Sequence, residues 1–458
     1  MLKNLSEIIK NNQFILILLI INFTIFNISS NFQINKFKDI PFDSKKLPKL
    51  LSSPVEMNLW KKGYEFKNKN LLSNIQDHEF RHHFLPSKLL GLFGKLSGLK
   101  FYDNDIINFD GIYYFFLFQT ILYYLSIIYF YKTLKNLILN NFIIYSSVLF
   151  LLFEPTINQY RYTIFGETIF FTILIFIFSF LINLPKKNST YLFVGLLFGI
   201  CYLQRSVAMF LIIVPILILI FEFRFNSISK ILNLGISFSL ILLILGYLNY
   251  NRVNIFYVLP TQTIDNLYNY FLPSVEMKRL NLKSIKDAKL KLRNEKINFA
   301  KENNLNLEKE ADRITFYQWQ RNKAVNTLLN NKIITFQTAL KSSLHSTLLN
   351  PTEILFGRIV GSGYYKSELH QKTIKYRIIY SLCVYILIFI GFIYTIKYKL
   401  NFPHLLLIIS MYFFVISSWV GYTRYFVPSY LSLCLYFGYG THYLYSILKR
   451  KKSRWKKI

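Results

Sequence analysis

Five ionisable residues stand at the edges of apolar runs: Glu154, Glu167, Arg205, Arg252 and Arg424. Ionisable groups at membrane depth are costly and usually mark function. Glu167 is the strongest single case. In Tyr162-Thr163-Ile164-Phe165-Gly166-Glu167-Thr168-Ile169-Phe170 it stands inside an expected apolar helix that starts near Thr163. Each residue alone has a plainer reading. Arg424 could snorkel to the interface, and Glu154 could be solvated beyond the end of its helix. Together they suit one chemistry. A guanidinium fork pairs with phosphate oxygens, and a nearby carboxylate can remove a proton from an acceptor hydroxyl. Such a set fits transfer from a lipid-phosphate donor lying in the bilayer to an acceptor arriving from outside.

The elements that must position these residues follow from composition. The chain has 458 residues, 54 Lys and Arg against 23 Asp and Glu, and a net charge of +31. Yet 53% of it is apolar and 18% is Phe, Tyr or Trp, in runs such as Phe14–Ile21, Ile169–Ile182, Phe210–Phe221 and Tyr385–Tyr394. That excludes a soluble globular domain and intrinsic disorder. The positive charge is assigned to anionic lipid at the cytoplasmic face and not to nucleic acid. The fold class is all-α and polytopic, with about ten spans of roughly 20 residues or slightly fewer. They fall at about 13–30, 111–131, 137–153, 163–183, 190–204, 206–222, 231–250, 375–396, 403–420 and 425–447.

Basic residues orient them. Lys132 and Lys135, Lys186 and Lys187, Arg224 and Lys230, Lys397 and Lys399, and the tail from Lys449 to Lys457 all belong inside by the positive-inside rule. Both termini are then cytoplasmic, in an inner (plasma) membrane, which requires an even span count. Tyr191–Phe221 is long for one helix and short for two. The charge rule favours two, with Gln204-Arg205-Ser206 at the outer turn. The first apolar run has no small-residue cleavage site and reads as a retained helix.

Three regions result. Residues 1–250 form a transmembrane core that includes a first outer loop, 31–110. Residues 251–374 form an extracytoplasmic, mostly helical region, since Ser284–Leu349 lacks Pro and Gly. Residues 375–458 supply the last spans and a basic tail. Cys201, Cys383 and Cys434 lie in apolar stretches and read as buried thiols. His78, His82 and His83 beside Asp77 and Glu79 read as a polar loop, with a divalent ion as the alternative.

Four stretches resemble the GT-C class of membrane glycosyltransferases, the polyprenyl-phosphate-sugar enzymes related to protein mannosyltransferases and aminoarabinose transferases. Arg81-His82-His83-Phe84-Leu85-Pro86, running on to Leu92-Phe93-Gly94, resembles the Arg/Pro lead into the second span. Phe153-Glu154-Pro155 and Gly166-Glu167-Thr168 resemble the helix break and the Glu-containing helix start. Gly195-Leu196-Leu197-Phe198-Gly199 with Gln204-Arg205 resembles the Gly-rich helix ending in Arg. Gly421-Tyr422-Thr423-Arg424-Tyr425-Phe426-Val427-Pro428 resembles the start of a late span. Asn251-Arg252-Val253-Asn254 with Asn266-Leu267-Tyr268 is a looser fifth match.

The resemblance implies inverting transfer of a sugar from a polyprenyl-phosphate donor to a glycan, lipid or protein acceptor of the cell envelope. Arg81, Arg205, Arg252, Arg424, Tyr425, Glu154 and Glu167 would then bind substrate, with magnesium or manganese as an optional aid. The family's base is an Asp well before the Arg/Pro lead, and this chain departs there. Asp77 precedes Arg81 closely, whereas Glu56 has more suitable spacing but is a Glu. Either can be the base. The competing classes are a transporter, a flippase or polymerase for lipid-linked glycans, and a membrane protein with no activity.

Overall fold

A computed structural model describes residues 2–37, 84–98, 102–103, 106–107, 109–162, 166–183, 187–223, 227–259, 264, 266–348, 368–420 and 425–455. The chain is helical. Helix α1 (Leu2–Phe37) is followed by α2 (Phe84–Ser97) and a two-residue antiparallel pair, Tyr102–Asp103 with Ile106–Ile107. Next come α3 (Phe109–Leu137), α4 (Asn141–Phe153), the single turn α5 (Pro155–Asn158) with a 3-10 turn Gln159–Tyr162, and α6 (Glu167–Ile182). Then follow α7 (Asn188–Gln204), a 3-10 turn Ser206–Met209, α8 (Ile213–Phe223) and α9 (Ile228–Val253). A more polar group consists of α10 (Leu272–Arg279), α11 (Ile285–Glu302), α12 (Glu310–Asn330) and α13 (Lys332–Leu348). The last three helices are α14 (Glu368–Lys397), α15 (Asn401–Val420) and α16 (Tyr430–Trp455).

Each expected span coincides with helix, but length and apolarity single out fewer. Four helices are long and apolar enough to cross a membrane, at Asn12–Asn31, Gly111–Leu137, Ile228–Asn251 and Ile374–Lys397. The bent pair Asn141–Phe153 and Pro155–Tyr162 makes five if it counts as one span. Helices α4, α6, α7 and α8 have only 13, 16, 17 and 11 residues, against 36, 29, 26 and 30 in α1, α3, α9 and α14.

Side-chain contacts give the helix directions. Phe14 meets Tyr145 and Asn22 donates to the Leu152 carbonyl, so α1 runs with α4. Tyr113 and Tyr124 donate to Asn27 and Asn22, so α3 runs against α1. Helix α6 runs with α3, through Tyr123 on Phe171 and Tyr129 on Phe180. Helix α7 runs against α6, through Phe180 on Phe193 and Phe178 on Phe198.

Asn188 donates to Ser229 at one end of α7, and Tyr202 meets Phe238 toward the other, so α9 runs with α7. The intervening segment, 205–223, therefore turns back, which makes Tyr191–Phe221 two helices and not one. At the C-terminal end α15 runs against α16, through His404 with Tyr436 and Ser410 with Ser432. Helix α14 runs with α16, through Phe392 on Tyr436 and Tyr394 on Tyr443. Helix α16 in turn runs against α4, through Phe142 on Tyr445 and Phe150 on Tyr430. The long helical segments thus alternate in direction along the chain. The first and last share an end.

Small residues set the closest approach. A Cβ on Gly391 would strike the Tyr436 carbonyl, and one on Gly440 the Leu387 carbonyl, so α14 and α16 meet backbone to backbone. Small residues at crossings are the usual route to tight helix packing in lipid. The polar group has its own centre in Tyr268, Leu272, Leu292 and Ala324, with Trp319 stacked on Phe299 at 4.3 Å. There Arg279 pairs with Glu276 at 2.8 Å, and that carboxylate holds the guanidinium above its ordinary pKa. One expectation is corrected: Cys201 and Cys434 are buried, but Cys383 is exposed, because it faces outward from the two-helix seam of α14 and α16.

Candidate polar site at the broken helices

The site begins with a proline. Pro155 cannot donate a helical hydrogen bond, and the residue before a proline is pushed to extended backbone. Glu154 accordingly has φ −62° and ψ 120°, and the chain bends by 43° there. The carboxylate closes the break. Its Oε1 accepts from the Thr156 hydroxyl at 2.7 Å and its Oε2 from the Ile157 N–H at 2.9 Å. Glu154 therefore caps α5, where negative charge is favourable. It is 2% exposed and not solvated beyond its helix.

The second break lies at Gly166, whose φ of +84° suits glycine. Helix α6 starts immediately after it, so Glu167 is its first residue and not one inside a longer helix. Helix α7 ends opposite, at Gln204, with Arg205 as its C-cap in extended conformation. The Gln204 amide donates to the Gly166 carbonyl at 3.0 Å, and the Arg205 guanidinium pairs with the Glu167 carboxylate. Each charge is suited to its own helix terminus. Both side chains are about 6% exposed, and the Tyr425 ring lies 5.5 Å from the Arg205 guanidinium carbon. The structure thus joins three of the expected site residues, Glu167, Arg205 and Tyr425, in one buried group.

Arg161 went unnoticed in the sequence and is the largest fully buried side chain. Its Nη1 donates to Asn22 Oδ1 at 2.7 Å and to the Tyr124 hydroxyl at 3.0 Å. The rings of Phe26, Tyr123 and Tyr124 lie 5.4 to 5.9 Å from its guanidinium carbon. The signal that could have found it is position. It is the only charged residue between Glu154 and Glu167, in a short link between two apolar runs. A small cavity lies between Tyr123, Tyr160, Arg161, Glu167, Thr168 and Phe171. On it, Arg161 Nε, Glu167 Oε2 and Thr168 Oγ1 have no hydrogen-bond partner among the described residues. Buried polar atoms of that kind are where water or a ligand group completes the bonding.

Depth is the informative property. The group lies level with Asn22 in α1, Tyr124 in α3 and, through Tyr430 and Thr156, Tyr385 in α14. These are about 9, 13 and 11 residues in from Asn31, Gly111 and Ile374, hence roughly 14–20 Å along helices of 1.5 Å rise. The short helices stop half-way along the long ones. Their charged ends form a buried layer there, and α2 packs against it, with Pro86 Cγ 3.3 Å from where a Cβ on Gly166 would sit.

The remaining expected residues divide as follows. The backbone of Arg252 forms the last turn of α9, and its side chain lies outside the described residues. Glu56, Asp77, Arg81 and Arg424 also lie outside them, as do His78, His82 and His83. Among the described residues no group of three or more His, Cys, Asp or Glu gathers. Fold and site together define a helical protein in which several helices are long and apolar enough to cross a membrane and surround a buried charged group. The chain matches no family model, and no curated protein or solved structure matches it significantly.

Proposed function

We propose that the chain is an inner-membrane glycosyltransferase of about ten spans that moves a sugar from a polyprenyl-phosphate donor to a cell-envelope acceptor. The observation that carries this reading is the buried charged group: Arg161, Arg205, Glu154 and Glu167 gather where the short helices end, on the side where α1 and α9 end and α3 and α14 begin. A lipid phosphate could enter between helices, and its charge would be met by guanidinium groups with little competing water. Glu167 keeps Arg205 in place, and Glu154 holds the start of the turn that carries Arg161. The base would come from the first long segment, Asp77 first and Glu56 second, and would take the acceptor proton as the sugar moves. The lipid phosphate leaves, and the anomeric configuration inverts. A divalent ion bound to that phosphate would share the same charge-neutralising role.

One observation favours a second reading, movement of a lipid-linked glycan across the bilayer. The bend at Glu154-Pro155 lies half-way along the long helices, where carriers place their broken helices. Deleting the gene and comparing envelope glycans by mass spectrometry tests the first reading. Loss of one glycosyl addition, with its unmodified acceptor accumulating, is expected; an unchanged profile overturns it. Detergent-solubilised membranes then separate the two readings. They have no leaflets, so a flippase is dispensable there, whereas a transferase is still required.

A further inference from the structure

Helix α13 exposes an apolar stripe, flanked by exposed Gln337, Lys341 and His345, and buries hydroxyls. Thr338, Ser343, Ser346 and Thr347 are buried, while Ile333, Phe336, Leu340 and Leu344 are 75%, 68%, 42% and 47% exposed. The spacing of those four residues is three, four and four, which is one stripe of an α-helix. A stripe of large apolar side chains held in water while hydroxyls are buried inverts the usual soluble pattern. In lipid the same arrangement is favourable, because Ser343 bonds to a neighbouring helix, Ser346 and Thr347 bond to carbonyls of α13 itself, and the apolar side meets acyl chains.

Two hydrogen bonds fix the depth of α13. The Ser343 hydroxyl donates to the Phe414 carbonyl of α15 at 2.9 Å, and the Tyr385 hydroxyl of α14 donates to the Thr347 carbonyl at 2.8 Å. Tyr385 is about 11 residues in from Ile374, where the apolar stretch of α14 begins, so the C-terminal end of α13 reaches the depth of the buried charged group. From Thr347 back to Lys332 is about 22 Å, enough to cross one leaflet. The stripe also continues the outward apolar surface of its neighbours, Met411 and Val415 on α15 and Leu382, Ile386 and Phe389 on α14, all exposed.

We propose that α13 is a half-membrane helix inserted beside α14 and α15, with Ile333, Phe336, Leu340 and Leu344 covered by the acyl chains of one leaflet. Lys332 sits at the headgroup level, and Lys341 extends its stem toward it. The region 251–374, expected from its composition to lie outside the membrane, then has an intramembrane end. This placement is independent of the transfer reading, because it depends on neither donor nor acceptor.

Fluorescence quenching tests it. Phe336→Trp and Leu340→Trp are reconstituted separately into vesicles of ordinary or acyl-brominated phosphatidylcholine, and the signal of the unsubstituted protein is subtracted. Leu290→Trp, at an exposed position on α11, is the aqueous control. Brominated lipid is expected to remove at least about half of the added emission at 336 and 340, with little effect of acrylamide, and the control is expected to show the reverse. Quenching at 336 and 340 by acrylamide alone overturns the proposal. So does protection from both quenchers, which would mean a protein partner covers the stripe. Leu344→Trp supplies a further independent position if either variant fails to reconstitute.

Discussion

At the scale of single residues the decisive feature is that Glu167 and Arg205 satisfy one another. A buried pair contributes little net stability, but removing one member leaves an uncompensated charge. Glu167→Gln is therefore expected to lower stability by about 3 kcal/mol, since breaking a buried pair costs roughly 3–5 kcal/mol and the amide keeps one hydrogen bond. Glu167→Gln/Arg205→Gln should recover most of that loss, because no unpaired charge remains. Thermal unfolding of the purified variants in detergent checks both; equal stability of the single variant and the parent would mean that the pair is not buried as described. Much of this chemistry was legible in the sequence. Glu167 and Arg205 stand out as ionisable residues at the edges of apolar runs, Tyr425 enters only through the resemblance of its stretch, and the fold brings the three together. Arg161 did not stand out, because nothing local shows that Asn22 and Tyr124, distant in the chain, will cage it. The pairing itself was also hidden. Glu167 and Arg205 looked like separate ligands, since chain spacing cannot show that two helix ends face each other.

At the scale of elements the broken helix and the close crossing carry the arrangement. Glu154 caps α5 with both oxygens. Glu154→Ala strands the Ile157 N–H and the Thr156 hydroxyl in a buried place, at a cost of about 1–3 kcal/mol for an unsatisfied group. Glu154→Gln should lose less, because its carbonyl oxygen still accepts one of them. Unfolding midpoints of the two variants decide it, and equal midpoints would remove the capping role. At the crossing of α14 and α16, Gly440→Leu forces a side chain into the Leu387 carbonyl. Overpacking usually costs about 1–3 kcal/mol, and here the neighbour is backbone that cannot rotate away. The variant should show a lowered membrane level on immunoblots; a normal level would argue that the crossing is looser. Helix positions were readable from apolar runs alone, which is why each expected span meets a helix. Their lengths were less so. The start of α6 depends on a left-handed glycine, and the apolar stripe of α13 is interrupted along the sequence by buried hydroxyls; a hydropathy run reveals neither.

At the scale of the whole molecule, alternating helix directions put the two ends of the described chain on one side and the charged ends of the short helices toward the other. Cysteine labelling from one side tests this in spheroplasts, after Cys201, Cys383 and Cys434 are replaced. Cysteine placed at Ala300 should react with an impermeant reagent, and cysteine at Lys187 should react only after permeabilisation, as the basic connections require. The opposite pattern would place the charged ends of the short helices toward the cytoplasmic side. The central claim is that the buried charged group performs transfer and is not packing alone. Its most direct test is complementation of the deletion strain with the wild-type chain or with Glu167→Gln/Arg205→Gln, at equal membrane level, followed by mass spectrometry of the envelope glycan. The wild-type chain is predicted to restore the missing glycosyl addition, and the neutral pair to restore at least ~10-fold less of it, equivalent to about 1.4 kcal/mol of barrier. Full restoration by the neutral pair would contradict the account, because a folded protein without those charges would then transfer equally well.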